Sequence, residues 1–126
     1  MAKRVMVVED DALTGELLQT VLELDGHRVT IASNLAEARA VLATGRPEVA
    51  IVDAWLKNES GLDLVRELRR RPEWSRIKII VASATDDASE AALAAGADAF
   101  VLKSSLVSQP GLTIADCLAA TTPNQN

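Results

Sequence analysis

Val5-Met6-Val7-Val8-Glu9-Asp10-Asp11 sets a short apolar run directly against three carboxylates. The junction recurs along the chain. Val49-Ala50-Ile51-Val52 runs into Asp53, Ile79-Ile80-Val81-Ala82 into Ser83, and Phe100-Val101-Leu102 into Lys103. Short apolar runs separated by helical patterns read as buried parallel strands. In an open α/β sheet the carboxyl ends of such strands face one crevice, where ligands bind. Glu9, Asp10, Asp53, Ser83 and Lys103, remote in sequence, are therefore predicted to converge on one site.

Outward from these runs the periodicity changes. The first strand, Arg4 to Val8, leads into a helix with Leu13, Leu17 and Val21 at fourfold spacing and Leu18 and Leu22 beside them. Asp25-Gly26 closes it. His27 to Ala32 reads as a second strand. Asn34 with Glu37 forms a capping box for a second helix, with Leu35, Ala38, Val41 and Leu42 inward. Val49 to Val52 is the third strand. The loop Ala54 to Ser60 precedes a helix from about Gly61, with Leu64, Val65 and Leu68 inward, stopped by Pro72. Ile77 to Ala82 is the fourth strand, Asp87 to Ala95 an Ala-rich helix closed by Gly96, and Ala99 to Leu102 the fifth strand. Ser104 to Gln109 carries few helix signals. Pro110 can open a last, atypical helix to about Ala120, with Leu112, Ala115, Leu118 and Ala119 buried.

Five such units predict a right-handed, doubly wound five-stranded parallel sheet, flavodoxin-like in the order 2-1-3-4-5, with helices on both faces. The switch point then falls between strands one and three, where Glu9 and Asp10 face Asp53. Residues 1–120 form one domain in this reading, and residues 121–126 a polar C-terminal tail.

Composition narrows the function classes. The chain has 126 residues, 48% of them hydrophobic, which suits one domain with a real core. A formal net charge of -5 argues against direct nucleic-acid binding or an anionic membrane surface. Arg66, Arg69, Arg70 and Arg71 read as the solvated end of a helix, where cations suit the macrodipole. No apolar run approaches the ~20 residues of a membrane span, and Met-Ala-Lys-Arg leads straight into a strand pattern without a visible signal peptide. The expected location is cytoplasmic. Cys117, the single cysteine, reads as a small buried hydrophobe.

Taken singly, each site residue has a plain structural role as a cap, turn or surface group. Together they form a chemical set. Three nearby carboxylates raise their own pKa values unless a cation screens them. Mg²⁺ takes oxygen ligands, typically one or two carboxylates with waters and phosphate oxygens. Lys103 suits a phosphate oxygen as a compact point charge, and Ser83 can donate a hydrogen bond to another. Asp53, alone at the end of the central strand, is the candidate nucleophile for an acyl phosphate.

These residues resemble the receiver domains of two-component response regulators. The match runs from Lys3 to Lys103 and consists of Val7-Val8-Glu9-Asp10-Asp11, Asp53 with Gly61 eight residues on, Ser83-Ala84, Gly96-Ala97-Asp98 and Lys103. The resemblance implies phosphorylation of Asp53 by a histidine kinase or phosphotransfer protein. It implies Mg²⁺ held by Asp10, Asp53 and the backbone carbonyl of Trp55, with Glu9 acting mainly through water. Ser83 and Lys103 would bind the phosphoryl group, and Ser83 and Phe100 would act as the switch pair. The output is contact with a downstream protein target or effector domain. The only chemistry implied is self-phosphorylation and self-dephosphorylation at Asp53, not turnover of a separate substrate.

The chain departs from that family in three places. Lys57 stands where Pro usually follows the acceptor Asp by four residues. Ser104 follows Lys103 where the family has Pro after a cis bond. A cis bond before a non-proline costs ~2.5–4 kcal/mol, which leaves a trans bond or a strained cis bond held by its surroundings. Trp55 is large for a position bordering the phosphoryl group and is expected to limit attacking water. The alternative reading is a degenerate receiver that binds partners without phosphorylation. A haloacid dehalogenase-type phosphatase would need a second Asp where Trp55 stands. No Gly-x-Gly-x-x-Gly follows the first strand, as a nucleotide-binding Rossmann domain would require.

Overall fold

The apolar runs and the helical stretches between them alternate in a computed structural model that describes residues 2–109 and 113–117. The elements are β1 (Arg4–Val8), α1 (Ala12–Leu24), β2 (Arg28–Ala32), α2 (Leu35–Thr44), β3 (Val49–Asp53), α3 (Gly61–Arg70), β4 (Lys78–Ser83), α4 (Ser89–Ala95), β5 (Ala99–Leu102) and α5 (Lys103–Ser108). The strands form one parallel sheet in the order β2-β1-β3-β4-β5. This is the doubly wound, flavodoxin-like arrangement, and β3 lies at its centre with every residue buried.

Strand pleating divides the core in two. Met6, Val8, Ala50, Val52, Ile79 and Val81 point to one face, where α2, α3 and α4 cover them through Leu35, Leu42, Leu64, Leu68 and Ala92. Val5, Val7, Val49, Ile51, Ile80 and Ala82 point to the other, against Leu18 and Leu22 of α1 and Leu106 of α5. At ~25 cal/mol per Å² of apolar area, these two layers supply the main driving force for folding.

Local chemistry sets the boundaries. The Asn34 side chain accepts a hydrogen bond from Glu37 N (2.8 Å), while Glu37 reaches one residue further back than a standard capping box, to Ser33 N (2.7 Å). Gly96 closes α4 in the left-handed region, at φ 117°. That helix is shorter than expected: Thr85 Oγ1 donates to Asp87 Oδ1 (2.8 Å), and Ala88 is the N-terminal flanking residue. Side-chain bonding of this kind favours a turn over a helix.

Other expectations need correction. In α1 the inward residues are Gly15, Leu18 and Leu22, whereas Leu13 and Leu17 are exposed. The five-residue apolar set is wider than the one face that the sheet can cover. Ser104 to Ser108, expected to be irregular, is helical within α5. Leu106 is fully buried there and Val107 packs beside it, so tertiary contact overrides weak propensity. Residues 113–117 are helical too, but Ile114 and Cys117 are buried while Ala115 is exposed. Leu112, Leu118, Ala119 and the 121–126 tail lie outside the described residues.

Arg69 is not a solvated helix-end cation. Its guanidinium donates to the carbonyls of Gly96 (2.7 Å), Ser75 (3.0 Å) and Ile77 (2.8 Å) and to Asp98 Oδ2 (2.6 Å). Asp98 Oδ2 also accepts from Ile79 N (2.8 Å). One partly buried fork thus ties α3 to the start of β4 and to the α4–β5 turn.

Candidate functional site

The carboxyl ends of β1, β3 and β5 build a charged knot. Glu9 continues the pleat of Val5 and Val7, Asp53 that of Val49 and Ile51, and Lys103 that of Ala99 and Val101. All three therefore lie on the α1/α5 side of the sheet. Glu9 and Asp53 are only 3% and 6% exposed. Lys103 Nζ bridges them, at 2.7 Å from Glu9 Oε1 and 2.9 Å from Asp53 Oδ2. The ammonium of Lys103 thus supplies part of the screening of these carboxylates, which does not fall to a metal cation alone.

Backbone amides hold the remaining oxygens. Trp55 N donates to Asp53 Oδ1 (3.1 Å), and Asp11 N to Glu9 Oε2 (3.2 Å). Lys57 N donates to Asp10 Oδ2 (2.5 Å). Asp11, next in sequence, points elsewhere. Its carboxylate caps α1 by accepting from Thr14 N (2.9 Å) and Thr14 Oγ1 (2.6 Å), which hold its pKa below the ordinary value.

Burial pushes the Glu9 carboxyl above its ordinary range, and the Asp53 charge adds to that. Bonds from Lys103 and Asp11 N–H offset it only in part. Burial also opposes the Lys103 charge, but its bonds to Glu9 and Asp53 outweigh the penalty and push its pKa up. The lysine therefore stays charged between the two acids.

Glu9, Asp10 and Asp53 each offer a carboxylate oxygen within 4.8 Å of the others'. Hard oxygen donors at such spacing suit a divalent cation of the Mg²⁺ class. The donor set therefore fits the cation implied by the sequence.

Gly61 fixes the end of β3. A Cβ there would stand 1.9 Å from the Asp53 carbonyl oxygen and 2.9 Å from Val52 Cγ1. Only glycine lets α3 start this close to the end of β3, and Gly61 N donates to Ala54 O (3.1 Å). The loop between is a small closed hairpin, with a Trp55–Ser60 bridge and Leu56 N donating to Glu59 O (3.1 Å). Trp55 is 53% exposed.

Ser83 and Phe100 lie on the other side of the pleat. Ser83 follows Ile79 and Val81, is buried, and its Oγ accepts only a long bond from Thr85 N (3.5 Å). Phe100 is half-buried against the α2–α4 core. Neither touches the charged knot through a hydrogen bond. Among the described residues every peptide bond is trans, including Lys103–Ser104. The residue that sequence reasoning missed is Lys57, which meets Asp10 through its backbone; no side-chain pattern signals that contact.

The chain's sequence matches the response regulator receiver domain family over residues 5–110. It is 39% identical over 101 residues to the KDP operon transcriptional regulatory protein KdpE of Escherichia coli, covering 79% of this chain and 44% of that protein. It is 38% identical over 105 residues to the phosphate regulon transcriptional regulatory protein PhoB of Rhizobium meliloti, covering 82% of this chain and 46% of that protein. The chain thus spans about half the length of the curated relatives it matches. A response regulator from Thermotoga maritima superposes with a TM-score of 0.80 at 28% identity, covering 94% of this chain and 99% of that one.

Proposed function

The chain belongs to the response regulator receiver domain family, and from that premise we propose that it is a Mg²⁺-dependent phosphoacceptor in which Asp53 takes the phosphoryl group. The observation that carries this reading is the buried Asp53 carboxylate at the end of the central strand, joined to Lys103 and within 4.8 Å of two further acids.

In this reading a carboxylate oxygen of Asp53 attacks the phosphorus of a phosphohistidine on a histidine kinase or phosphotransfer protein. The new P–O bond forms as the P–N bond breaks, and the imidazole leaves. Asp10, Asp53 and the Trp55 carbonyl would hold Mg²⁺ directly, with Glu9 acting through water. The cation, when bound, neutralises charge on the transferring group. Lys103 shifts its ammonium from the carboxylate to a phosphoryl oxygen, and Ser83 donates its hydroxyl to another. Ser83 is suited to this because its one bond is long, and Phe100 is suited to follow it because its ring is half-buried.

We assign the receiver to residues 1–120, with cytoplasmic action and output to a downstream protein or effector domain rather than by direct contact with nucleic acid or membrane. No helix among the described residues is long and apolar enough to cross a membrane. Trp55 shields the acyl phosphate from water, so Trp55→Ala should shorten its lifetime; an unchanged lifetime removes that role.

Incubation with acetyl phosphate and Mg²⁺ should add one phosphoryl group, located on Asp53 by peptide mass spectrometry. The label should vanish in excess chelator and in Asp53→Asn. No label, or label on another residue, would favour an interaction module that works without phosphorylation.

A further inference from the structure

We propose that Lys57 is a latch on the cation site: its backbone N–H holds the Asp10 carboxylate and must release it for a divalent cation to bind tightly. The proposal rests on reading Glu9, Asp10 and Asp53 as that site.

Glu9 and Asp53 share Lys103, but Asp10 is held from the opposite side by Lys57 N. The donor sits at the tip of the 54–60 hairpin, whose ends are pinned by Ala54 N to Ala82 O (3.0 Å) and Gly61 N to Ala54 O (3.1 Å). The tip itself is exposed at Lys57 and Asn58. Beside it lies an open groove of about 600 Å³, lined by Asp10, Ser33, Asn34, Lys57, Asn58 and Glu59. Glu59 is anchored as well, accepting from Leu35 N (3.0 Å), so it is Lys57 and Asn58 that have free space into which to move.

An amide hydrogen on a carboxylate oxygen carries partial positive charge, takes one of the carboxylate's about four lone-pair sites and draws electron density from the others. The Lys57 ammonium adds a full positive charge that is felt at Asp11, the neighbour of Asp10 in sequence. Both act against an entering cation, although the ammonium is screened by salt and the amide bond is not. Because binding and loop position are linked, a cation that prefers the released Asp10 also opens the loop. The proline usual at this position in the family has no N–H to donate, so the latch belongs to this chain's departure from that pattern.

The test is a Mg²⁺ titration by calorimetry of the wild-type chain, Lys57→Ala and Lys57→Pro, at low and high salt. Lys57→Ala should bind about two- to threefold tighter at low salt only. Lys57→Pro should bind about tenfold tighter at both. Equal or weaker binding by Lys57→Pro than by Lys57→Ala would mean that the amide orients Asp10 for the cation, and would overturn the proposal. Amide hydrogen exchange in the wild-type chain gives a check that needs no variant. The Lys57 N–H should be protected in chelator and exchange faster with Mg²⁺; protection that persists in saturating Mg²⁺ overturns the latch. If neither the wild-type chain nor any variant binds Mg²⁺, the site reading falls and the latch with it, whereas equal binding by all three removes the latch alone.

Discussion

The two sides of the sheet end differently at the site. On the α1/α5 side, Glu9, Asp53 and Lys103 are buried or half-buried and locked together by ion pairs of 2.7 and 2.9 Å. On the α2–α4 side, Ser83 has one 3.5 Å contact and Phe100 is half-buried. On that second side α4 has no side-chain cap, and the edge strand β5 has no fully buried residue. At the site the first side is held in place by charge, whereas Ser83 and Phe100 have no ion pair or short hydrogen bond to hold them. A receiver needs both, because a phosphoryl group must be bound rigidly and then reported by something that moves.

The strongest way to break the rigid side is through its backbone support. Gly61→Ala places a Cβ against the Asp53 carbonyl, where overpacking costs about 1–3 kcal/mol. Urea unfolding should show that loss, and phosphoryl uptake should fall with it; an unchanged midpoint would show that α3 can move away without cost. Lys103→Met comes next. It leaves Glu9 and Asp53 without their shared counter-charge and should cost about 1–3 kcal/mol in chelator, with Mg²⁺ restoring much of it.

A smaller effect tests which force governs Glu9. Its folded pKa is raised, so the folded state binds this proton more tightly than the unfolded chain does. Its contribution to stability is therefore greatest below the ordinary carboxylate pKa and is lost as pH rises through the raised folded value. The stability difference between the wild-type chain and Glu9→Gln should fall over that window and stay flat above it. The opposite slope would mean that Lys103 outweighs burial. Ser83→Ala should change stability least, by about 0.5 kcal/mol, because this buried hydroxyl gives up only one long hydrogen bond, while weakening phosphoryl retention. A large loss of stability would place Ser83 on the rigid side instead.

The strands and the acid cluster were legible because each apolar run ends at a charged or hydroxyl residue, and parallel topology brings those ends together. The pleat was not legible, since residues 5–8 and 49–52 are apolar at both parities and do not tell that Ser83 and Phe100 fall on the opposite side from Glu9, Asp53 and Lys103. Partnerships were harder to read. Arg69 looks like any helix-end arginine until the fold brings Gly96, Ile77 and Asp98 beside it. Leu13 and Leu17 share the helical period of Leu18 and Leu22, but the sheet has room for only one stripe. The Lys57–Asp10 bond uses a main-chain donor, which no residue type announces. Leu106 turns the weak Ser104–Ser108 segment into helix by a contact with the core that local propensity does not contain.

The most direct test follows backbone amides by NMR, first with Mg²⁺ and then with Mg²⁺ and beryllofluoride as a phosphoryl mimic. Mg²⁺ alone should shift signals near Glu9, Asp10, Asp53 and the 54–60 loop and leave Ser83 and Phe100 in place. Adding the mimic should extend the shifts to Ser83–Thr85 and Phe100–Leu102. Shifts that stay confined to the acid cluster with the mimic bound would contradict the division into a holding side and a responding side.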